Sequence, residues 1–326
     1  MSVWTDPRLI EISEKFIPAA DEVWRLQRSK DPDALIFQEM ANQGHYRGEG
    51  ATRQGIYVCS ADGTFLSSIN TLNPEEVLKT IDDGLKKWEA LPIKNRQGHH
   101  MPKINVTHRW ENSFPEHGLV LTTVNSDLIS NSPNLVERSE RRNMDHVWFH
   151  VTEVASWLPT QAKVGMVYFV PELIKNRLFC YHLVDNVRGQ TLPFAPQELK
   201  HAEISLTVTD LQESVLKLKI LGYSDARAEG EWLLGQNDWT PSYSLNHGMK
   251  IQLMGNAMFD LNQEKFTEFE MVAIGKRYGK TELNSREFSP DTSYVGFYFT
   301  LAGEKDADKI PPAFVDIYNA EWIAKP

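Results

Sequence analysis

The pattern of apolar and polar residues changes partway along the chain. Up to residue 90, apolar positions recur at helical spacing. Helix starts are marked at Asp6-Pro7 and Asn73-Pro74, because a capping side chain precedes a proline whose missing N–H costs nothing there. Between these helices, two strand-like segments flank Asp62-Gly63, a pair typical of tight hairpin turns. The pattern predicts the order helix, strand, helix, hairpin, helix, with residues 17–20 as the first extended segment, 55–60 and 64–68 as the hairpin, and 74–88 as the last helix.

From Ile104 onward, strand-like segments dominate. The longest pairing is a hairpin of residues 249–261 with residues 265–275. Only two helices are predicted, at 153–158 and 171–181. Runs of strands with few helices are typical of an antiparallel sandwich or barrel. The other predicted strands are residues 119–124, 167–170, 203–209, 216–221 and 294–301.

Composition fits a two-part chain. The chain has 326 residues, 41% hydrophobic and 24% charged, which is globular in character and longer than one average domain. Pro92, Gly98 and Pro102 mark a linker. We predict a first module at residues 1–90, a linker at 91–103 and a β-rich domain at 104–326. The linker histidines, His99-His100, are expected to be solvated, because neighbours in sequence rarely converge on one metal ion.

The charge of the chain bears on its partners and location. A formal net charge of −10 works against nucleic-acid binding, and the short basic run at residues 138–142 is interpreted as a solvated loop. The N-terminus lacks the features of a signal peptide, and no apolar stretch is long enough to span a membrane. We expect a soluble cytoplasmic protein with a protein or small-molecule partner, no nucleic-acid partner and no membrane span. Export stays open if the chain has lost a leader.

The first module resembles the distal part of thioredoxin-like domains of the DUF255 and thioredoxin-7 kind. The resemblance rests on residues 4–7 (Trp-Thr-Asp-Pro), on Ile10, on residues 16–18 (Phe-Ile-Pro), on hairpin residues 55–66 and on the helix through Trp88. The whole chain also resembles a bacterial group that joins this module to a β-rich C-terminal part. The resemblance implies an α+β fold, with a partial thioredoxin-like α/β module followed by a mainly antiparallel β domain. Residues 145–148, 179–189 and 266–275 carry the resemblance in the second part.

The chain departs from that family where the redox chemistry would lie. The first helix begins a few residues after Met1, so we expect the preceding strand and CxxC loop to be absent. The loop that would hold a cis-proline reads Thr-Arg-Gln-Gly at 52–55. Dithiol exchange needs a thiolate at a helix N-terminus and a second thiol. We therefore expect Cys59, on a predicted strand, to be a small buried residue without a redox role.

Three residues have a spacing that could hold a metal ion. His146 and His150 are four residues apart, and Glu153 follows three residues later. On a helix all three would share one face and could offer two imidazoles and a carboxylate to zinc or another divalent metal. The segment 145–152 is equally strand-like, and on a strand the two histidines would also share a face. No cofactor is predicted, and a histidine pair satisfied by hydrogen bonds is the favoured interpretation, because no strong metal motif accompanies the three residues.

The densest polar cluster of the sequence is His182, Asp185, Asn186 and Arg188, beside Gly189. It could bind an anion or provide acid–base groups. It could equally be structural, because Asp, Asn and Gly are ordinary turn formers. A further segment, with Trp232, Trp239 and Tyr243, reads either as a binding loop or as a surface loop with aromatic anchors.

No motif in the sequence identifies a catalysed reaction, so three functional hypotheses remain open. The leading hypothesis is a non-redox, thioredoxin-like binding or interaction protein. The second is a metal-binding protein or hydrolase-type enzyme that uses histidines of the β-rich domain. The third is a thiol–disulfide oxidoreductase whose cysteine-bearing N-terminal segment is missing from this chain.

Overall fold

The chain divides into two compact units, Met1–Arg109 and Trp110–Pro326. The computed structural model describes residues 3–21, 23–47, 52–97, 113–128, 142–158, 162–189, 191, 193–229, 246–281, 284–286 and 293–313. Each unit has a buried apolar cluster of its own, as an independently folding segment requires.

The first unit is mainly helical with one hairpin among its described residues. Strands β1 and β2 pair antiparallel, which confirms the predicted hairpin. Residues 17–20, predicted as an extended segment, belong to no sheet. The segment predicted as a linker contains a short helix. The elements are α1 Pro7–Ser13, α2 Val23–Arg28, α3 Pro32–Ala41, β1 Ile56–Cys59, β2 Phe65–Ile69, α4 Pro74–Ala90 and α5 Ile93–Arg96, with a 3₁₀ turn at Val3–Thr5.

Helix α4 begins where the sequence predicts it. The Asn73 side chain accepts a hydrogen bond from the Glu75 backbone N–H at 3.0 Å, and two acidic residues follow in the first turn. The helix packs closely on the hairpin at Gly84, where an added Cβ would lie 2.6 Å from Ser67 Oγ and 2.8 Å from Val58 Cγ1. A side chain at this position would therefore push the helix off the sheet. The thioredoxin-like assignment of this unit stays a prediction, because its described residues form a sheet of two strands.

The second unit is built on one antiparallel sheet of eight strands, in the order β4-β3-β10-β9-β8-β7-β6-β5. This confirms a β-rich antiparallel domain, although the described strands form a single sheet rather than two packed sheets. The predicted hairpin of residues 249–261 and 265–275 is present as β8 and β9. The strands are β3 Leu119–Leu128, β4 Arg142–Phe149, β5 Val167–Phe169, β6 Leu199–Gln212, β7 Val215–Ala228, β8 His247–Asp260, β9 Lys265–Gly279 and β10 Ser293–Leu301.

Two short helices complete this unit, α6 (Val151–Ser156) and α7 (Glu172–Arg177), and α7 continues as a π-helix over Leu178–His182. Both helices lie near the predicted positions. They contribute to the same apolar cluster as one face of the sheet, which we call the inner face. Trp157, after α6, makes edge-to-face contacts with Phe149, Phe266 and Phe269.

The inner face is apolar at one end and polar at the other. On β3, alternate residues face inward, and Leu119 and Leu121 are followed by Thr123, Asn125 and Asp127, all of them buried. The same strand thus passes from the apolar core into a polar region, which is where the candidate site lies.

Candidate functional site

The centre of the polar region is a group of five charged residues that we call the arginine cluster: Asp127, Asp185, Arg188, Arg277 and Arg286. Asp127 and Arg277 come from the inner faces of β3 and β9, and the other three come from connecting segments. All but Arg188 are less than 9% exposed. The cluster therefore joins two strands to two connections inside the unit.

The two carboxylates are shared among the three guanidinium groups. Asp185 Oδ2 accepts a hydrogen bond from Arg286 Nε at 2.9 Å and forms an ion pair with Arg277, whose Nε also lies 2.9 Å away. Asp127 accepts from Arg286 Nη2 at 2.7 Å and from Arg188 Nε at 2.8 Å. Arg286 bridges the two carboxylates, so the five residues form one continuous network.

Burial and pairing compete in this network. Burial disfavours the charged form of Arg286, but its hydrogen bonds to Asp185 and Asp127 outweigh burial and raise its pKa. Burial lowers the pKa of Arg277, with Arg286 and Arg188 adding to the effect and Asp185 opposing it. For Asp127, the hydrogen bonds from Arg286 and Arg188 outweigh burial and lower its pKa. All three arginines stay charged at neutral pH, because an arginine side chain cannot lose its proton in a protein.

A small cavity of about 10 Å³ lies beside Asp185 and Arg277. Thr191, Asn284 and His247 also line it. This volume holds about one water molecule, so the interior of the network is close-packed. A larger ligand would have to approach from the side where Arg188 reaches the surface.

Neighbouring polar groups on β3 are incompletely bonded. Asn125 donates its amide to Asn186 Oδ1. Asn125 Oδ1 and Thr123 Oγ1 are buried and have no hydrogen-bond partner in the described part of the chain. A buried oxygen without a partner costs free energy, so these two atoms could accept a hydrogen bond from a water molecule or a ligand.

Three of the four residues in the predicted polar cluster belong to this site. Asp185 and Arg188 are in the arginine cluster, and Asn186 bonds Asn125. His182 lies in the π-helix instead, where its ring contacts Tyr181. Burial, and then the charge of Arg177, lower its pKa to about 3, so the ring is neutral, and its Nδ1 has no partner among the described residues. Sequence reasoning missed Asn125, Asp127, Arg277 and Arg286; the signal for the first two was that the alternation of the predicted strand 119–124 continues through residue 127 with polar residues.

The structure places the three metal candidates on different elements. His146 lies in β4, with its Cα paired to Thr122, and burial lowers the pKa of its ring. The helix alternative is wrong for residues 145–149, and the strand ends at Phe149, before His150 and the start of α6 at Val151. Glu153, in α6, accepts from the His150 backbone N–H at 2.7 Å and pairs with Arg177. No group of three metal-ligating side chains is found within the described ranges.

Asp145, which precedes His146 on β4, makes a hydrogen-bonded contact outside the arginine cluster. Its Oδ1 accepts from the Ala313 and His146 backbone N–H groups, each at 2.8 Å, and Tyr181 donates its hydroxyl to the Ala313 carbonyl. Although the residue is partly buried as a whole, its carboxyl group is enclosed, and burial raises its pKa to about 6. The contact fixes residue 313 beside β4.

The two cysteines are free and lie in different units. Cys59 was expected to be buried, but it ends β1 with its side chain exposed. Desolvation of its sulfur, and then Asp62, raise the pKa of its thiol, which reduces the thiolate fraction. Cys180 is buried in the core of the second unit, and burial raises its pKa to about 12.

Three predictions fall outside the described residues: the His99-His100 pair, most of the basic run at 138–142, and the aromatic segment with Trp232, Trp239 and Tyr243. Among the helices that the structure describes, none has both the length and the apolar character needed to cross a membrane. Comparisons of the chain with family models, curated proteins and solved structures found no match.

Proposed function

We propose that the chain is a binding protein whose second unit takes a small anionic ligand, with a carboxylate or phosphate group, at the arginine cluster. The observation that carries the proposal is the charge of the cluster. Three guanidinium groups face two carboxylates, which leaves one positive charge in excess. The excess charge is nearest the surface at Arg188, the one partly exposed arginine of the cluster, and a bound anion would pair with it.

Arg188 is the residue through which such a ligand would be held. Its side chain is 31% exposed, whereas Arg277 and Arg286 are enclosed. Its Nε bonds Asp127, and its two terminal nitrogens have no partner in the described part of the chain. A guanidinium group offers parallel N–H donors to a carboxylate or phosphate. Asp127 would hold Arg188 in position while the ligand binds the outer side of the group.

In this proposal the first unit is a scaffold without dithiol chemistry, in keeping with the thioredoxin resemblance and the missing CxxC. The raised pKa of Cys59 supports this, since dithiol exchange needs a thiol with a lowered pKa.

Titration calorimetry with inorganic phosphate and with succinate, at fixed ionic strength, tests the proposal. We expect wild-type protein to bind at least one of the two anions, and Arg188→Gln to bind it about tenfold or more weakly, because a charge-assisted hydrogen bond is worth about 1.5–3 kcal/mol. Arg8→Gln is the matched control, because Arg8 is an exposed, ion-paired arginine of the first unit.

Circular dichroism of each variant checks that it is folded. Failure of the wild-type protein to bind either anion would contradict the proposal. So would equal affinities of wild-type protein and Arg188→Gln.

A further inference from the structure

A cleft of about 600 Å³ lies on the surface of the first unit, beside the end of α3, strand β2 and helix α4. Ser68 of β2 and His45, in the segment that follows α3, both line it, and both residues are partly exposed. Ser68 Oγ lies 2.9 Å from His45 Nδ1. At this distance a histidine can take the proton of a serine hydroxyl. The cleft therefore places a serine–histidine pair beside a space of the size of a small-molecule site.

The hydrogen bonds of the imidazole determine which nitrogen is the base. His45 Nε2 lies 3.2 Å from the Gln54 carbonyl oxygen, which can only accept a hydrogen bond, so the neutral ring carries its proton on Nε2. Nδ1 then accepts the hydrogen bond of the Ser68 hydroxyl. The His45 backbone N–H also donates to Ser68 Oγ, at 2.8 Å, and would stabilise negative charge on that oxygen. Nucleophile, base and orienting carbonyl thus follow the arrangement of an activated serine.

Two glycines make these contacts possible. A Cβ added at Gly44 would lie 2.6 Å from Ser68 Oγ. A Cβ added at Gly55 would lie 2.5 Å from Cε1 of the His45 ring. The Tyr57 ring, whose centroid is 5.3 Å from that of the imidazole, further restricts the base. The pair is therefore held in place from several sides, as a catalytic group must be.

Basic side chains predominate along the cleft. Arg47, Lys86 and Lys87 line it, together with Asp83 as the one acidic residue among the described lining residues. Lys86 is paired with Asp82, whereas Arg47 is exposed and makes no ion pair with the described part of the chain. The backbone of Arg47 has a φ of 49°, a strained conformation for a non-glycine residue that is common at functional sites. The excess of basic groups favours a substrate with a negative charge.

We propose that Ser68 and His45 hydrolyse small carboxylic esters that carry a negative charge. Ser68 Oγ attacks the ester carbonyl carbon, and its proton passes to His45 Nδ1. The bond between that carbon and the alcohol oxygen breaks, and the alcohol leaves with the proton. Water then attacks the acyl-serine, a proton returns through Nδ1 to Ser68 Oγ, and the acid is released, so that ester and water give acid and alcohol. This activity is separate from the anion binding proposed for the second unit, and it needs no cysteine.

Hydrolysis of 4-acetoxybenzoate and of its neutral counterpart 4-acetoxybenzamide tests the proposal. We expect kcat/KM to fall at least about a hundredfold in Ser68→Ala, because a serine nucleophile contributes more than this factor. Ser67→Ala is the matched control and should keep at least about half of the activity, since Ser67 lines the same cleft but donates its hydroxyl to the Thr80 carbonyl. Wild-type protein no more active than Ser68→Ala would overturn the proposal.

The same two esters test the charge of the substrate. We expect the wild-type protein to prefer the anionic ester about fivefold, the value of about 1 kcal/mol, and Arg47→Gln to lose most of this preference. Equal kcat/KM values of the wild-type protein for the two esters would refute the assignment of an anionic substrate.

Labelling with a fluorophosphonate probe, which reacts with activated serines, gives a second test that does not require turnover. Peptide mass spectrometry should find the label on Ser68 of the folded wild-type protein and not after unfolding in urea. His45→Gln should lower the labelling at least about tenfold, because the base is lost, whereas His201→Gln, at an exposed histidine of the second unit, should not. Circular dichroism checks that both variants are folded. Equal labelling of wild-type protein and His45→Gln, or no label on Ser68, would show that the hydrogen bond of the pair is only structural.

Discussion

The substitution Asp185→Asn should destabilise the second unit strongly. Asp185 is ion-paired with both Arg277 and Arg286, and all three side chains are less than 10% exposed. Asparagine keeps the shape and one acceptor oxygen but removes the charge. Three guanidinium groups would then share the single carboxylate of Asp127. Breaking a buried charge pair in this way costs about 3–5 kcal/mol.

Removal of Arg277 from the same variant should recover part of this loss. Arg277→Gln by itself leaves Asp185 paired with Arg286, so we expect it to cost about 1–2 kcal/mol, within the range usual for single substitutions. In Asp185→Asn/Arg277→Gln the excess charge returns to that of the wild-type cluster. The two substitutions should therefore be coupled by at least about 1 kcal/mol, as is usual for residues of one charged network.

Urea unfolding followed by far-ultraviolet circular dichroism measures these free energies, because the eight-stranded sheet lies in the second unit. Asp210→Asn is the control: Asp210 pairs with Lys217 on the surface of the sheet, and its loss should cost no more than about 0.5 kcal/mol. If Asp185→Asn costs as little as this control, the cluster is not a buried charge network. Additive effects within about 0.5 kcal/mol would refute the coupling.

Three further predictions concern the histidines and the cysteines. His182 has a pKa of about 3 in the folded chain against 6.5 when unfolded, so its contribution to stability is complete above about pH 6.5 and is lost as the pH falls. Urea unfolding at two pH values should show that His182→Gln loses about 2 kcal/mol less than wild-type protein between about pH 6.5 and about pH 4.5; equal losses would contradict this. Protein purified without a tag should contain less than about 0.1 equivalent of zinc, copper or iron by elemental analysis, because Glu153 is engaged by Arg177, and a full equivalent would restore the metal hypothesis. The protein should not accelerate insulin reduction by dithiothreitol, since Cys59 has a raised pKa and no second thiol is near it in sequence; clear acceleration would exclude the non-redox hypothesis.

The sequence predicts elements well where one local signal is sufficient. The Asn73-Pro74 start of α4 and the hairpin of β8 and β9 depend on capping and alternation, which act within a few residues. It predicts the strand β4 only as one of two alternatives, because residues 145–152 satisfy both periods. The structure decides for the strand through pairing with β3, a segment distant in the chain.

The same limit applies to the candidate site, where residues close together in sequence can be predicted and residues that meet only in the fold cannot. Asp185, Asn186 and Arg188 are conspicuous because they are close together in sequence. Asp127 and Arg286 are separated from them by long stretches and meet Asp185 or Arg188 only after the sheet has formed. Cys59 was assigned to the interior because strands often bury cysteine, but the side chain of a strand's last residue can point away from the core. Closeness in sequence thus identified Asp185, Asn186 and Arg188, whereas Asp127 and Arg286 could be assigned to the network only from the folded structure.

Both faces of the large sheet have places where the usual rule of apolar residues inside and polar residues outside is broken. A sheet with one covered face usually alternates between the two. On β9 the rule is broken in both directions: Arg277 faces the interior, and Val272 and Ile274 face the solvent. The apolar end of the inner face shows that this fold can be filled with leucine and phenylalanine, so stability alone does not require charged residues at the other end. Local exceptions of this kind are expected where a protein binds something, because selection for binding can offset their cost in stability. Since the exceptions lie on opposite faces of the same sheet, Met254→Glu should leave anion binding at the arginine cluster intact.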